Sequence, residues 1–146
     1  MNIQGFIERR QQTLKLAQEL VQERGQLWAL HEQLLNMQPY TEEQALEPVA
    51  RKFCQLLVDY IALEHFGIYQ HLIDGSERRR GVLALAEKIY PRIVETTGIA
   101  LDFNEKCETF SPHDLRRQLA GELALLGEEL AIRIELEDCL IDAMTA

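Results

Sequence analysis

Apolar residues recur along this chain at the three- and four-residue spacing of helices and nowhere in strict alternation, so the pattern predicts an all-α fold. From Ile3 to about Asn36 there is no proline. Ile3, Phe6, Ile7, Leu14, Ala17, Val21, Trp28, Leu30, Leu34 and Leu35 suggest one long amphipathic helix, weakest near Gly25, with Arg9, Arg10, Lys15, Glu19, Glu23 and Arg24 on its wet side. Pro39 biases Gln38 away from helical geometry, so Met37 to Tyr40 reads as a connection. Thr41-Glu42-Glu43-Gln44 has the form of a capping box; a second helix starts there, or just later with Pro48 in its first turn. It runs to about Asp74, where Gly75 stops it and Ser76 can cap the next helix. That third helix begins near Glu77, with Val82, Leu83, Leu85, Ala86, Ile89, Ile93, Ile99 and Phe103 as buried candidates, and ends between Glu105 and Phe110. Pro91 predicts a kink inside it, and Thr96, Thr97 and Gly98 weaken the same region. Ser111-Pro112-His113-Asp114 is the strongest start signal in the chain, with an N-cap serine, a proline at the first helical position and an acid three residues after the cap. The fourth helix runs from about Pro112 to Ala143, with Leu119, Leu123, Leu126, Leu130, Leu140 and Met144 in its stripe. Helices of roughly 20 to 35 residues joined by short links predict a single antiparallel four-helix bundle over residues 1–146.

The stretch from Phe53 to Tyr69, FCQLLVDYIALEHFGIY, has more apolar residues than one buried stripe can use. Phe53, Leu57, Tyr60, Ile61, Ile68 and Leu72 supply a core-facing arc, which leaves Leu63 and Phe66 near the opposite side with Asp59 and Gln55. Asp59 and Phe66 are seven residues apart, only ~20° out of line on an α-helix. An acid and an aromatic aligned on an outer face have the character of a docking surface. The plainer alternative, that a neighbouring helix covers Leu63 and Phe66, is left open by the residues alone.

Composition narrows the partner. Lys plus Arg number 15 against 24 Asp plus Glu, a formal charge of −9, which repels a nucleic-acid backbone and favours encounter with a basic protein surface. The N-terminal MNIQGFIERRQQTLKL lacks the apolar core of a signal peptide, and no apolar run approaches the ~20 residues needed to span a bilayer, so a soluble cytoplasmic protein is expected. Cys54, Cys107 and Cys139 are widely spaced and form no Cys-x-x-Cys motif, as expected of reduced thiols packed as small hydrophobes.

The stripe of the fourth helix places Arg133 and Glu137 in line with Leu119, Leu126, Leu130 and Leu140. Inward-facing charges require partners, and Tyr60, Glu64, His65 and Tyr69 lie at the matching level of the second helix, which predicts a buried polar network that fixes helix register. The sharper alternative is a metal- or small-ligand-binding bundle using His65, Glu64, Glu135, Glu137 and Asp138. The Glu-x-x-His pairs of di-iron bundles are absent, and His31, His71 and His113 are expected near exposed faces or helix ends. Neither a Gly-x-Ser-x-Gly elbow nor a glycine-rich phosphate loop occurs, so no enzyme activity and no cofactor is expected. Glu77-Arg78-Arg79-Arg80 reads as a solvated turn.

Three runs carry a resemblance. Phe53-Cys54-Gln55-Leu56-Leu57-Val58-Asp59-Tyr60, followed by His65-Phe66 and Tyr69, is similar to the central helix of the Rsd/AlgQ family of anti-sigma factors. Arg133-Ile134-Glu135-Leu136-Glu137-Asp138-Cys139-Leu140-Ile141 resembles that family's final helix, and Ile89-Tyr90-Pro91-Arg92 its third. Leu63 and Glu64 depart from the small residues expected in relatives at those positions. The resemblance implies a partner, the primary sigma factor of bacterial RNA polymerase, contacted at its region 4, and a mechanism of occlusion. It assigns the counterparts of Asp59 and Phe66 to the sigma-binding surface; Leu63 and Gln55, beside them on the outer face, are expected as supporting contacts. The same outer face would serve a homodimer.

Overall fold

The computed structural model describes residues 3–73 and 79–146, apart from the side chain of residue 73. The expectations for Asp74, Gly75, Ser76, Glu77 and Arg78 lie outside the described residues. Four helical rods run through the rest, with no strand among the described residues: α1 (Ile3–Asn36); a second rod of α2 (Leu46–Ala62), a π-helical segment π1 (Leu63–Tyr69) and α3 (Gln70–Ile73); α4 (Arg80–Thr109); and α5 (Pro112–Thr145). α1 packs on the second rod and on α5, α4 packs on α5 and on α2, and the core lies between them.

Local chemistry accounts for the ends. Ser111 caps α5 as expected, its hydroxyl accepting from the Asp114 N–H at 3.1 Å. At the other end of α5, the Arg10 guanidinium donates to the Thr145 and Ala146 carbonyls and Arg79 to the Met144 carbonyl, satisfying oxygens the helix leaves unpaired. The second rod takes the later of its two expected starts, with Pro48 in the first turn of α2 and no side-chain cap at Ala45. Gln44 does reach back, its Oε1 accepting from the Thr41 N–H at 3.1 Å, but Thr41 to Gln44 form a turn. The Gln44 amide instead ties that turn to the Met37 carbonyl at 2.7 Å. Pro91 lies inside a continuous α4, where its missing N–H leaves one rung of the helical ladder open.

On α1 the structure keeps Ala17, Leu30 and Leu34 of the expected stripe and shifts the rest of the seam. The buried residues are Thr13, Ala17, Leu20, Leu27, Leu30, His31 and Leu34, with Arg24 between Leu20 and Leu27. Leu14 and Val21, a heptad apart, lie on an outer edge, and Ile3, Phe6 and Ile7 are exposed. Arg24, expected on the wet side, points into the bundle. The reason is the partner surface: α5 carries Arg133 and Glu137 in its own stripe, and α1 turns a cation toward them. The first turns of α1 continue past the level at which Arg10 meets the end of α5, so Ile3, Phe6 and Ile7 have no described helix to cover them. Ile99 of α4, expected in the core, is also exposed; the stripe there runs through Val82, Ala86, Ile89, Ile93, Thr96, Ala100 and Phe103.

His31 and His71 are buried rather than at exposed faces. His31 stacks on Trp28 and donates from Nε2 to the Leu123 carbonyl at 2.8 Å. The Thr13 hydroxyl gives its one proton to the Arg9 carbonyl at 2.9 Å, so it accepts from His71 Nε2 at 3.0 Å, tying α3 to α1. Both are satisfied core histidines that read as surface residues because their partners are distant in sequence.

The outer face of the second rod and the ion network behind it

The second rod departs from α-helical geometry at Leu63. Its N–H bonds the carbonyls of both Asp59 and Tyr60, and the rod returns to α geometry at Gln70, whose N–H reaches five residues back to His65. Such π segments insert an extra residue per turn and often coincide with functional sites. Because each π residue turns the chain by less than the α-helical ~100°, Phe66 is rotated away from the line through Asp59. Asp59 is exposed and accepts from Gln55 Nε2 at 3.0 Å. It leans toward α1, where its charge helps hold the Glu23 carboxyl above the usual range, after burial as the main cause. Leu63, half buried, meets Leu16 of α1 over Gly67. Phe66 is 69% exposed, with the edge of its ring against His65, and borders a groove shared with α4. The four residues read from the sequence as a docking face thus lie on one side of one rod, with Asp59 and Leu63 inclined to α1 and Phe66 to α4.

Behind this face lies the polar network. Arg133 is 2% exposed; it donates from Nε to Glu64 Oε2 at 3.0 Å and to Glu137 Oε2 at 3.3 Å, and its NH2 lies 2.9 Å from the same Glu64 oxygen. Its NH1 donates to the hydroxyls of Thr96 at 3.0 Å and Thr97 at 2.7 Å, both of which give their own protons to the Ile93 carbonyl. Tyr60 donates to Glu137, and its ring lies under the guanidinium carbon at 5.2 Å. Arg24 closes the set from α1, reaching Glu137 Oε1 at 3.4 Å and pairing with Asp138. Burial first, then the neighbouring Glu137 carboxyl, holds the Glu64 carboxyl well above its ordinary value, while Arg133 opposes that rise. Burial likewise raises Tyr60 and pushes Tyr69 above the ordinary phenol value.

Of the network members expected from the sequence, Arg133, Glu137, Glu64 and Tyr60 come together. His65 does not: it is exposed, because the π turn directs it outward beside Phe66. Tyr69 is buried, but its hydroxyl has no hydrogen-bond partner among the described residues. Thr96, Thr97, Arg24 and Asp138 complete the network unforeseen. The signal for the first two is a pair of threonines on the buried stripe of α4, and for Arg24 a cation at the heptad position between Leu20 and Leu27. No group of three or more His, Cys, Asp or Glu side chains is placed to hold a cation among the described residues, and Glu64 and Glu137 converge on a guanidinium. All three cysteines are free.

Fold and site together define a four-helix bundle locked by a buried ion network spanning all four rods, with a large aromatic, Phe66, left exposed on one of them. The chain belongs to the Rsd/AlgQ family, described as regulators of the RNA polymerase sigma(70) subunit, which it matches over residues 1–145. It is similar to the Regulator of sigma D of Escherichia coli O1:K1 / APEC and of Escherichia coli O81 (strain ED1a), at 32% identity in each case over 142 residues, covering 95% of this chain and 89% of the relative. No solved structure matches it.

Proposed function

We propose that this chain is an anti-sigma factor: it binds region 4 of the primary, sigma-70 type sigma factor and covers the surfaces that region uses for core RNA polymerase and for the −35 promoter element. The observation that carries the reading is Phe66, a large aromatic left 69% exposed after the four rods assemble, in a member of a family of sigma regulators. A helix-turn-helix module that reads DNA presents a basic surface, and the acidic edge where Asp59 of the second rod meets Glu23 of α1 is its electrostatic complement. Phe66 is the apolar anchor, Asp59 the charge partner, and Gln55 with the half-exposed edge of Leu63 the supporting contacts. Arg133 and Glu137 hold the rods in register and make no contact with the partner. No helix among the described residues is long and apolar enough to cross a membrane, in keeping with a protein that acts where RNA polymerase does, in the cytoplasm.

The test is binding of a purified region 4 fragment to Phe66→Ala and Asp59→Ala variants. Truncation of an anchor costs about 2 kcal/mol, roughly thirtyfold in Kd. Exposed substitutions move stability by about 0.5 kcal/mol or less, so melting temperature should be nearly unchanged. Full-strength binding by the double variant would remove this surface from consideration. Sedimentation of the free chain reports whether the same face first pairs two copies.

A further inference from the structure

Two of the three cysteines, distant in sequence, meet across two rods. Cys54 lies on α2 and Cys107 in the last turn of α4, and their thiols hydrogen-bond to each other. Both line one groove of about 520 Å³ between the rods, bordered also by Arg51, Gln55, Asn104 and Glu108. Cys107 is half-buried and Cys54 keeps 9% of its surface accessible, so the pair stands on the floor of an open groove rather than in sealed core. Cys139 of α5 is exposed.

The thiol–thiol bond divides the two sulfurs into different roles. Cys107 donates and Cys54 accepts. Accepting that bond lowers the Cys54 thiol below its usual range, against the opposing effect of burial. Cys107 is held well above its range, first by the bond it makes to Cys54 and then by burial. The helix end acts in the same sense, because the negative pole in the last turn of α4 disfavours a thiolate there. One sulfur ionises more readily while its neighbour keeps a proton, the arrangement of an attacking and a resolving cysteine.

We infer that Cys54 and Cys107 form a peroxide-sensitive dithiol that closes to a disulfide between α2 and α4. The Cys54 thiolate attacks one oxygen of hydrogen peroxide: an S–O bond forms, the O–O bond breaks, and the departing hydroxide leaves as water with the proton Cys54 released. The Cys107 sulfur then attacks the resulting sulfenic acid. The S–S bond forms, the S–O bond breaks, and the hydroxyl leaves as a second water with the Cys107 proton. Two thiols are oxidised by two electrons and one peroxide is reduced to two waters. Sulfurs in a disulfide stand about 2 Å apart, closer than hydrogen-bonded thiols. Cys107 supplies the movement, since α4 ends just beyond it at Thr109 and terminal turns open most readily. Gln55, beside Cys54, borders the same groove and donates to Asp59, so the pair adjoins the face proposed for region 4, although the dithiol assignment stands without that reading.

The Cys139→Ser variant isolates the pair. Reduced, freed of reductant and treated with hydrogen peroxide while folded, it should lose about 2 Da, remain a monomer on a non-reducing gel, and recover its mass with dithiothreitol. In the wild type, trypsin should release the Cys54 peptide joined to the Cys107 peptide as the major crosslink. Cys107→Ala should abolish that crosslink, leave Cys54 as a sulfenic acid that a dimedone probe captures, and slow its oxidation by about three- to tenfold as the thiolate loses its donor. Two thiols that stay intact at a peroxide dose that oxidises Cys139, or crosslinks that run mainly to Cys139 or between chains, would overturn the assignment. Should Cys107→Ala melt early, the wild-type peptide map stands as the deciding result.

Discussion

Glu64 shows what a single residue contributes to and costs this bundle. It ties the second rod to Arg133, yet burial and the second carboxylate at Glu137 hold its proton affinity well above that of an exposed glutamate. Well below the ordinary value near 4.5 both the folded and the unfolded chain keep this proton, and its contribution to stability is fully present. As pH rises from there through the raised folded value, the unfolded chain releases the proton before the folded one does, so stability is lost. Denaturant unfolding of wild type and Glu64→Gln should therefore diverge: the wild type loses stability relative to the variant between pH ~4.5 and the raised folded value, and a constant difference across that range would contradict this account. The sequence made Arg133 and Glu137 legible because they interrupt a leucine stripe. Thr13, Arg24, His31, Thr96 and Thr97 were not, because a polar residue at a core position is indistinguishable from a surface one until its partner is known.

Among the elements, α1 and α5 show how closely two rods can approach. A Cβ added at Gly127 would sit 2.9 Å from His31 Nε2 and 3.1 Å from its Cε1, so the glycine is what lets His31 lie against α5 and donate to the Leu123 carbonyl. Alanine at that position gains about 1 kcal/mol of helix propensity but overpacks a stacked, hydrogen-bonded ring. Gly127→Ala should lower stability by about 1–3 kcal/mol in thermal unfolding, whereas Gly121→Ala, with open space around its Cβ position, should be neutral or stabilising. Element positions were nearly all readable from caps and prolines: Ser111 and Pro112 open α5, and Pro48 falls in the first turn of α2. The π segment was not readable. LEHFGIY satisfies an α-helical pattern as well as a π one; only the neighbouring rods distinguish them, Glu64 reaching Arg133 of α5 and Tyr69 packing against Tyr90 of α4 from the wider turn.

At the scale of the molecule, charge and exposed surface act together. A net charge of −9 with Asp59, Glu19 and Glu23 near one face should steer a basic partner and give rapid, salt-sensitive association. Stopped-flow association with a region 4 fragment should slow by about tenfold or more as salt rises from ~0.05 to ~0.5 M, while dissociation changes little, because screening weakens long-range attraction more than close contacts. An association rate indifferent to salt would leave Phe66 as an anchor without the electrostatic half of the proposal.

The sequence by itself determined the number of rods, most of their ends and the apolar stripes of α2, α4 and α5, because these follow from local propensity and periodicity, which act over a few residues. Tertiary structure alone decided which heptad line of α1 became its seam, that His65 faces water, and that Phe66 stays exposed. Each of those outcomes depends on what another rod presents at the same height. Contacts between residues 69 to 113 positions apart, as between Glu64 and Arg133 or Arg24 and Glu137, leave no mark on either segment alone.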